Sequence, residues 1–269
     1  MLKYIIPFQY LYISRLKRMS EVFSLLWIYP MYLVFFLFFL YAVPLYPALV
    51  SFLVGIFAWM AVYEIGYLEN DAVTVHKEKF PNFRIDNASI DFIQVHFRKL
   101  VFFRLILFSM LVGVNFLTDL WTANQCGWFI GWVLLGRLFF FLHNTLRSRI
   151  NILTYFGLCV TKYVVFPFLF LGLGYGWEPY IVILLTFPIL RTTEHAVKPK
   201  YGLVHLQRLV GSLDSFRMRY YTVTLVLALG SWVFLNSRPI LVLSLAYFFM
   251  FRFGIWIMLK WGTYSRELS

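Results

Sequence analysis

Charge is scarce in this chain, and acidic charge is the scarcest. Only 13% of the 269 residues are charged, and 12 Asp and Glu accompany 24 Lys and Arg. Soluble domains carry roughly a quarter of their residues as charges, so this composition excludes a soluble globular domain. Cysteine is also rare: Cys126 and Cys159 are the only two, and their positions indicate neither a disulfide nor a metal site.

Hydrophobic residues make up 61% of the chain, and aromatic residues 22%. Apolar segments of about 20 residues are long enough to cross the ~30 Å hydrocarbon core as helices. We therefore predict an all-α integral membrane protein, a multi-spanning helical bundle that forms one domain over residues 1–269. Pro30, Pro167 and Pro188 lie inside spans and predict kinks. The predicted spans, of which the sixth is the weakest, are 22–43, 47–68, 99–118, 125–142, 151–174, 178–194, 218–236 and 239–260.

The basic residues are unevenly distributed between the two sides of the predicted bundle. Of the 24 Lys and Arg, 19 lie on the side of the two termini and four lie inside spans. Only Arg238 lies on the other side. The positive-inside rule then predicts that both termini are cytoplasmic, and we expect a bacterial cytoplasmic membrane. The long connections 69–98 and 192–217 fall on the same side. The net charge of +12 is explained by topology and by attraction to the lipid bilayer, with no nucleic-acid partner.

The N-terminal segment, residues 1–20, mixes aromatic, aliphatic and basic residues. This pattern is typical of an amphipathic helix that lies in the headgroup region of a bilayer. We predict that the segment lies there before the chain enters its first span.

Acidic residues are concentrated after the second predicted span. On a helix, Glu64, Asp71 and Glu78 are seven residues apart and Thr74 follows Asp71 by three, so all four share one face. Oxygen ligands arranged in this way can hold divalent cations against a phosphorylated substrate. The second long connection also begins with a polar cluster that contains Glu194, which gives a weak internal repeat of layout.

These two clusters resemble the motifs of the UbiA superfamily of intramembrane prenyltransferases. The family's first motif, NDxxDxxxD, is similar to Asn70-Asp71-x-x-Thr74-x-x-x-Glu78, with Thr74 in place of one acid. The second motif, near DxxxD, corresponds to Arg191-x-x-Glu194-x-x-x-Lys198, which keeps one acid and has basic residues where acids are usual.

Two further segments add to the resemblance. The stretch from Pro81 to Arg84 is similar to the basic continuation found in members that transfer phosphoribose to a polyprenyl phosphate. The stretch from His143 to Arg149 resembles a family segment that runs into Lys-Arg, with His143 where a Tyr is usual. The family usually has nine spans, one more than the eight counted here.

The resemblance implies a cavity in which Mg²⁺ holds a prenyl diphosphate, which ionises and is captured by an acceptor. The implied catalytic residues are Asp71, Glu78 and Glu194. The implied magnesium ligands are Asn70, Asp71, Thr74, Glu78 and Glu194. The implied phosphate-binding residues are Lys79, Arg84, Arg147, Arg191 and Lys198. Chemistry supports these residue types, because Mg²⁺, Lys and Arg all stabilise the charge of a leaving diphosphate.

Alternatives remain open at this point. One is phosphoribosyl transfer onto a polyprenyl phosphate, and another is a non-catalytic protein that binds or transports lipid or serves as a scaffold. The intramembrane polar residues Glu64, His143 and Lys162 are either functional or structural, and Glu64 could pair with Arg104 or Arg137. The acceptor substrate is not identified by the sequence.

Overall fold

The computed structural model of the chain describes residues 1–77, 81, 83–146 and 148–261. Every regular element among these residues is a helix, which confirms the predicted all-α class. Short 3₁₀ turns occur at Leu2–Tyr4 and Pro199–Tyr201. The longer helices are α1 Gln9–Arg15, α2 Met19–Leu40, α3 Leu45–Lys77, α4 Asn87–Leu117, α5 Ala123–Thr145, α6 Asn151–Leu171, α7 Glu178–Thr186, α8 Pro188–Ala196, α9 Val204–Val210, α10 Leu213–Leu235 and α11 Ile240–Lys260.

Seven helices in the described part of the chain are long and apolar enough to cross a membrane: α2 to α6, α10 and α11. The chain is thus a multi-pass membrane protein by length and composition. The predicted sixth span consists instead of α7 and α8, nine residues each. Phe187 separates them with non-helical backbone (φ −141°, ψ −53°), and Pro188 starts the second helix because a proline can begin a helix but not continue one. The predicted count of eight spans is therefore not confirmed.

The two long connections predicted from the sequence are largely helical. Helix α3 continues through Glu69–Thr74 as wider π-type turns and is described as far as Lys77. Helix α4 begins at Asn87, twelve residues before the predicted span, because the Asp86 carboxylate accepts a hydrogen bond of 2.6 Å from the Ser89 N–H and caps the helix. The apolar pattern marked only the part of α4 suited to the hydrocarbon core.

Two of the predicted kink positions coincide with irregular backbone. Pro30 lies in a π-type turn at Trp27–Met31, where its missing N–H leaves a helical hydrogen bond unmade. Pro188 follows the break described above, whereas Pro167 lies inside α6, which continues to Leu171.

The chain divides into two compact units, Met1–Gly174 and Tyr175–Ser269. In the first unit α3 packs against α4 and α5, and α5 packs against α6. In the second unit α11 packs against α10 and α7. The single domain expected over the whole chain stays a prediction.

Helices α3 and α5 come into close contact at Gly66. A Cβ atom added there would lie 2.4 Å from the Phe140 ring, so a larger residue would force the helices apart. The Asn144 side chain donates a hydrogen bond of 3.2 Å to the Gly66 carbonyl at the same level. This contact fixes the part of α3 that carries Tyr67 and Asp71.

Candidate functional site

Asp71 is buried in the first unit and is bound by the N-terminal segment. Arg15 donates from Nη1 to Asp71 Oδ2 at 2.7 Å and from Nη2 to Oδ1 at 2.9 Å. The Tyr10 hydroxyl also donates to Oδ2, at 3.0 Å. Both carboxylate oxygens are therefore engaged by α1, in the two-pronged geometry that gives strong charge-assisted hydrogen bonds.

The Arg15 guanidinium is held over an aromatic ring as well. Its central carbon lies 3.8 Å from the centroid of the Tyr67 ring, a cation–π arrangement. Burial acts to lower the pKa of Arg15, but the Asp71 charge, the hydrogen bonds to Asp71 and the neighbouring Tyr67 and Tyr10 together outweigh it and raise the pKa, so Arg15 stays charged. Burial and the Asp71 charge both raise the pKa of Tyr10, which keeps its proton and its role as donor.

Glu64 forms a second tie between α3 and its surroundings. Arg104 donates from Nη2 to Glu64 Oε2 at 2.8 Å, and both side chains are fully buried. The Leu11 N–H donates to Oε1 at 2.9 Å, and Arg104 Nε donates to the Tyr4 carbonyl at 2.7 Å. Of the two partners expected for Glu64, the structure has Arg104, and the pair fastens the N-terminal segment to α3 and α4.

Other predicted residues of the first motif lie around Asp71. The Asn70 amide donates to Asp71 Oδ1 at 3.2 Å, and Thr74 is buried one turn further along. Arg84 lies near enough to Tyr67 to act electrostatically on its hydroxyl group. Glu78, Lys79 and Arg147 lie outside the described residues.

The intramembrane residues His143 and Lys162 have aromatic or polar neighbours. His143 Nδ1 lies 3.1 Å from the Thr154 hydroxyl. Lys162 Nζ lies 4.2 Å from the centroid of the Tyr29 ring and 5.8 Å from that of Tyr63. Rings around an ammonium group stabilise its charge, so the cation is tolerated within a helix that can cross the membrane.

Glu194 lies in the second unit and is bound by two arginines. Arg217 donates from Nε to Oε1 and from Nη2 to Oε2, the latter at 3.0 Å, and Arg191 donates to Oε2. Burial acts to raise the pKa of Glu194, but the hydrogen bond from Arg217 and the two positive charges outweigh it and hold the pKa below its usual range. Lys198, also predicted for phosphate binding, is exposed just beyond α8.

The structure thus brings Asn70, Asp71 and Thr74 together in one unit, and Arg191 and Glu194 together in the other. The sequence does not predict three residues that belong to these sites: Tyr10, Arg15 and Arg217. For Tyr10 a signal exists in the sequence, because Tyr10, Leu11 and Ser14 have the spacing of one helix face, and the structure buries all three.

The predicted magnesium site stays a prediction, because its ligand Glu78 lies outside the described residues. No group of three or more His, Cys, Asp or Glu side chains in that part of the chain could hold a metal ion. Mg²⁺ prefers near-ideal octahedral oxygen coordination, but Asp71 already accepts hydrogen bonds from Arg15 on both oxygens. The positive charge next to Asp71 is that of Arg15.

Comparison with protein-family models, curated proteins and solved structures gives no match for this chain.

Proposed function

We propose that this protein is a membrane-embedded transferase of the UbiA type that acts on a polyprenyl phosphate or diphosphate. The observation that carries the proposal is the group around Tyr67. Arg15 stacks on that ring beside Asp71, and Arg84 lies within electrostatic range of it. Cations and aromatic rings at one place match a substrate with an anionic head and an allylic chain.

The chemistry assigned to this group is neutralisation of a leaving phosphate. Cleavage of the carbon–oxygen bond of an allylic diphosphate leaves negative charge on the diphosphate, which fixed guanidinium groups stabilise. Tyr29 and Tyr63, with Lys162 above their rings, add an aromatic wall within the same unit. In this proposal Arg84 holds the phosphate and Arg15 joins it when the substrate draws Arg15 away from Asp71, while the tyrosine rings shelter the developing positive charge from water.

Magnesium takes part in this proposal only if the substrate draws Arg15 away from Asp71. Arg15 would then bind phosphate, and Asn70, Asp71 and Thr74 would be free to contribute oxygen ligands with Glu78. Phosphoribosyl transfer onto a polyprenyl phosphate uses the same anionic head and remains a variant of the proposal, suggested by the segment from Pro81 to Arg84.

A non-catalytic scaffold or lipid-binding protein is the second candidate. The observation that favours it is that Glu64 and Asp71 are both buried and both paired with arginine. Paired carboxylates of this kind tie helices together without any chemistry.

The test is calorimetric titration of farnesyl diphosphate into the full-length protein in nanodiscs, with and without a chelator. We expect Arg84→Ala to weaken binding about tenfold, because one charge-assisted contact to the diphosphate is lost. Arg98→Ala is the matched control, since Arg98 is exposed on α4. If magnesium takes part, chelation weakens binding by the wild type, and Asp71→Asn removes that effect.

Formation of free diphosphate during a longer incubation with a lipid extract of the native membrane, which supplies an acceptor for the prenyl group, separates the two candidates. Binding that depends on Arg84 without any release of diphosphate supports the lipid-binding candidate. Equal binding by wild type, Arg84→Ala and Arg98→Ala contradicts both the assigned site and the transferase.

A further inference from the structure

Arg252 is a buried cation in the second unit for which the described residues provide no hydrogen-bond acceptor at Nε. Its side chain belongs to α11, a helix that can cross the membrane, and the residue is only 9% exposed. The guanidinium lies 5.3 Å from the ring centroid of the neighbouring Phe251. An arginine buried in a membrane helix is costly unless an anion or a polar acceptor compensates it.

The two acids near Arg252 in the described part of the chain are Glu194 and Asp214, and both accept hydrogen bonds from Arg217. A cleft lined by Asp214, Arg217 and Arg252 brings the two guanidinium groups to one place. Arg217 donates all its nitrogen groups to Glu194 and Asp214. Among the described residues, no carboxylate forms an ion pair with Arg252, so its charge can be compensated by an external anion.

The rest of the cleft has the character of a lipid-facing surface. Ile255, Trp256 and Leu259 complete its lining and are half-exposed. Lys260 Nζ lies 4.6 Å from the Trp256 ring, and Trp and Lys near a helix end are typical of the level of lipid headgroups. The open space is about 10 Å³, room for one water molecule, so binding of a larger anion requires Trp256 or Leu259 to rotate outward.

We propose that the cleft between Arg217 and Arg252 is a binding site for a phosphate oxyanion, carried by the headgroup of an anionic membrane lipid. Arg252 donates to the phosphate, and the apolar residues of the cleft contact the upper part of the acyl chains. The inference is independent of the function proposed above, because it rests on residues of the second unit alone.

The test measures lipid retention by native mass spectrometry. The full-length protein is purified from nanodiscs that contain equal amounts of phosphatidylglycerol and phosphatidylcholine. We expect the wild type to retain phosphatidylglycerol selectively, and Arg252→Gln to lose that selectivity about tenfold, as expected for one lost charge-assisted contact. Arg208→Gln is the control of equal charge change in the same unit, because Arg208 is exposed. Arg252→Lys keeps the charge and is expected to retain part of the selectivity if Arg252→Gln fails to fold.

A second arm distinguishes the source of the phosphate. Inorganic phosphate added at millimolar concentration is expected to leave the bound phosphatidylglycerol in place. Displacement by inorganic phosphate in the wild type, but no effect in Arg252→Gln, would assign the site to a soluble phosphate instead of a lipid. The same lipid ratio in wild type, Arg252→Gln and Arg208→Gln would overturn the proposal.

Discussion

Three buried carboxylates of this chain form ion pairs with arginine side chains. Glu64 pairs with Arg104, Asp71 with Arg15, and Glu194 with Arg217. The sequence alone predicts that acids inside or beside membrane helices need a counter-charge. It does not say which arginine supplies it, because the partners are 40, 56 and 23 residues apart. Helical spacing indicates neighbours only within one turn.

The Glu64–Arg104 pair gives the sharpest prediction for stability. Arg104→Met should destabilise the protein by about 3–5 kcal/mol, because it leaves the buried Glu64 carboxylate without its partner. The double variant Glu64→Gln with Arg104→Met should recover much of that loss. Unfolding by denaturant in detergent micelles measures both. Arg98→Met on the exposed face of α4 is the control, and an equal effect of Arg98→Met and Arg104→Met would contradict the account of this pair.

The Glu194 carboxylate gives a prediction for pH. Its folded-state pKa is lowered, so its pairing stabilises the protein above the usual unfolded-state value of about 4.3. That stability is lost as the pH falls through the lowered folded-state pKa. The melting temperature of Glu194→Gln should therefore lie below that of the wild type at neutral pH, and the difference should shrink in acid. Glu178→Gln is the control, because Glu178 forms only an exposed pair with Arg238. A difference that does not change with pH would contradict the assigned charge state.

At the scale of elements, the length of an apolar segment predicts which helices are long enough to cross a membrane. It does not predict the residues at which those helices begin and end. Helix α4 begins at Asn87 because Asp86 caps it, and the apolar pattern carries no such information. The predicted sixth span failed for a local reason, since the backbone at Phe187 leaves the helix ahead of Pro188. The composition of the N-terminal segment predicts a place in the headgroup region. Its burial against α3 could not be predicted in this way, because it depends on Glu64 and Asp71, which lie far along the chain.

The attachment of α1 is open to direct measurement. We expect slow amide hydrogen exchange in Gln9–Arg15, because the segment is fixed by Asp71 and by the Leu11 N–H to Glu64. Arg15→Ala should raise exchange throughout this segment while leaving the middle of α6 protected. Lys17→Ala is the control, since Lys17 is exposed. Fast exchange of α1 in the wild type would contradict its place in the first unit.

At the scale of the whole molecule, composition is enough to predict a multi-pass helical membrane protein, and seven helices in the described part of the chain are long and apolar enough to cross a membrane. The cytoplasmic position of the termini and the bacterial membrane stay predictions from the distribution of basic residues. The resemblance to the UbiA superfamily predicts Asp71, Glu194 and Arg191 as site residues. Arg15 and Arg217, which also bind these carboxylates, could not be predicted from it, because they lie outside the motif positions.

Identification of the lipid that copurifies with the full-length protein tests the central claim most directly. Mass spectrometry of protein extracted from its native membrane should show a polyprenyl phosphate or diphosphate, because we propose that Arg15, Arg84 and the Tyr67 ring bind an anionic head on an isoprenoid chain. The amount should fall in Arg84→Ala and stay unchanged in Arg98→Ala. Ordinary phospholipids alone, in the same proportions for all three proteins, would contradict the account.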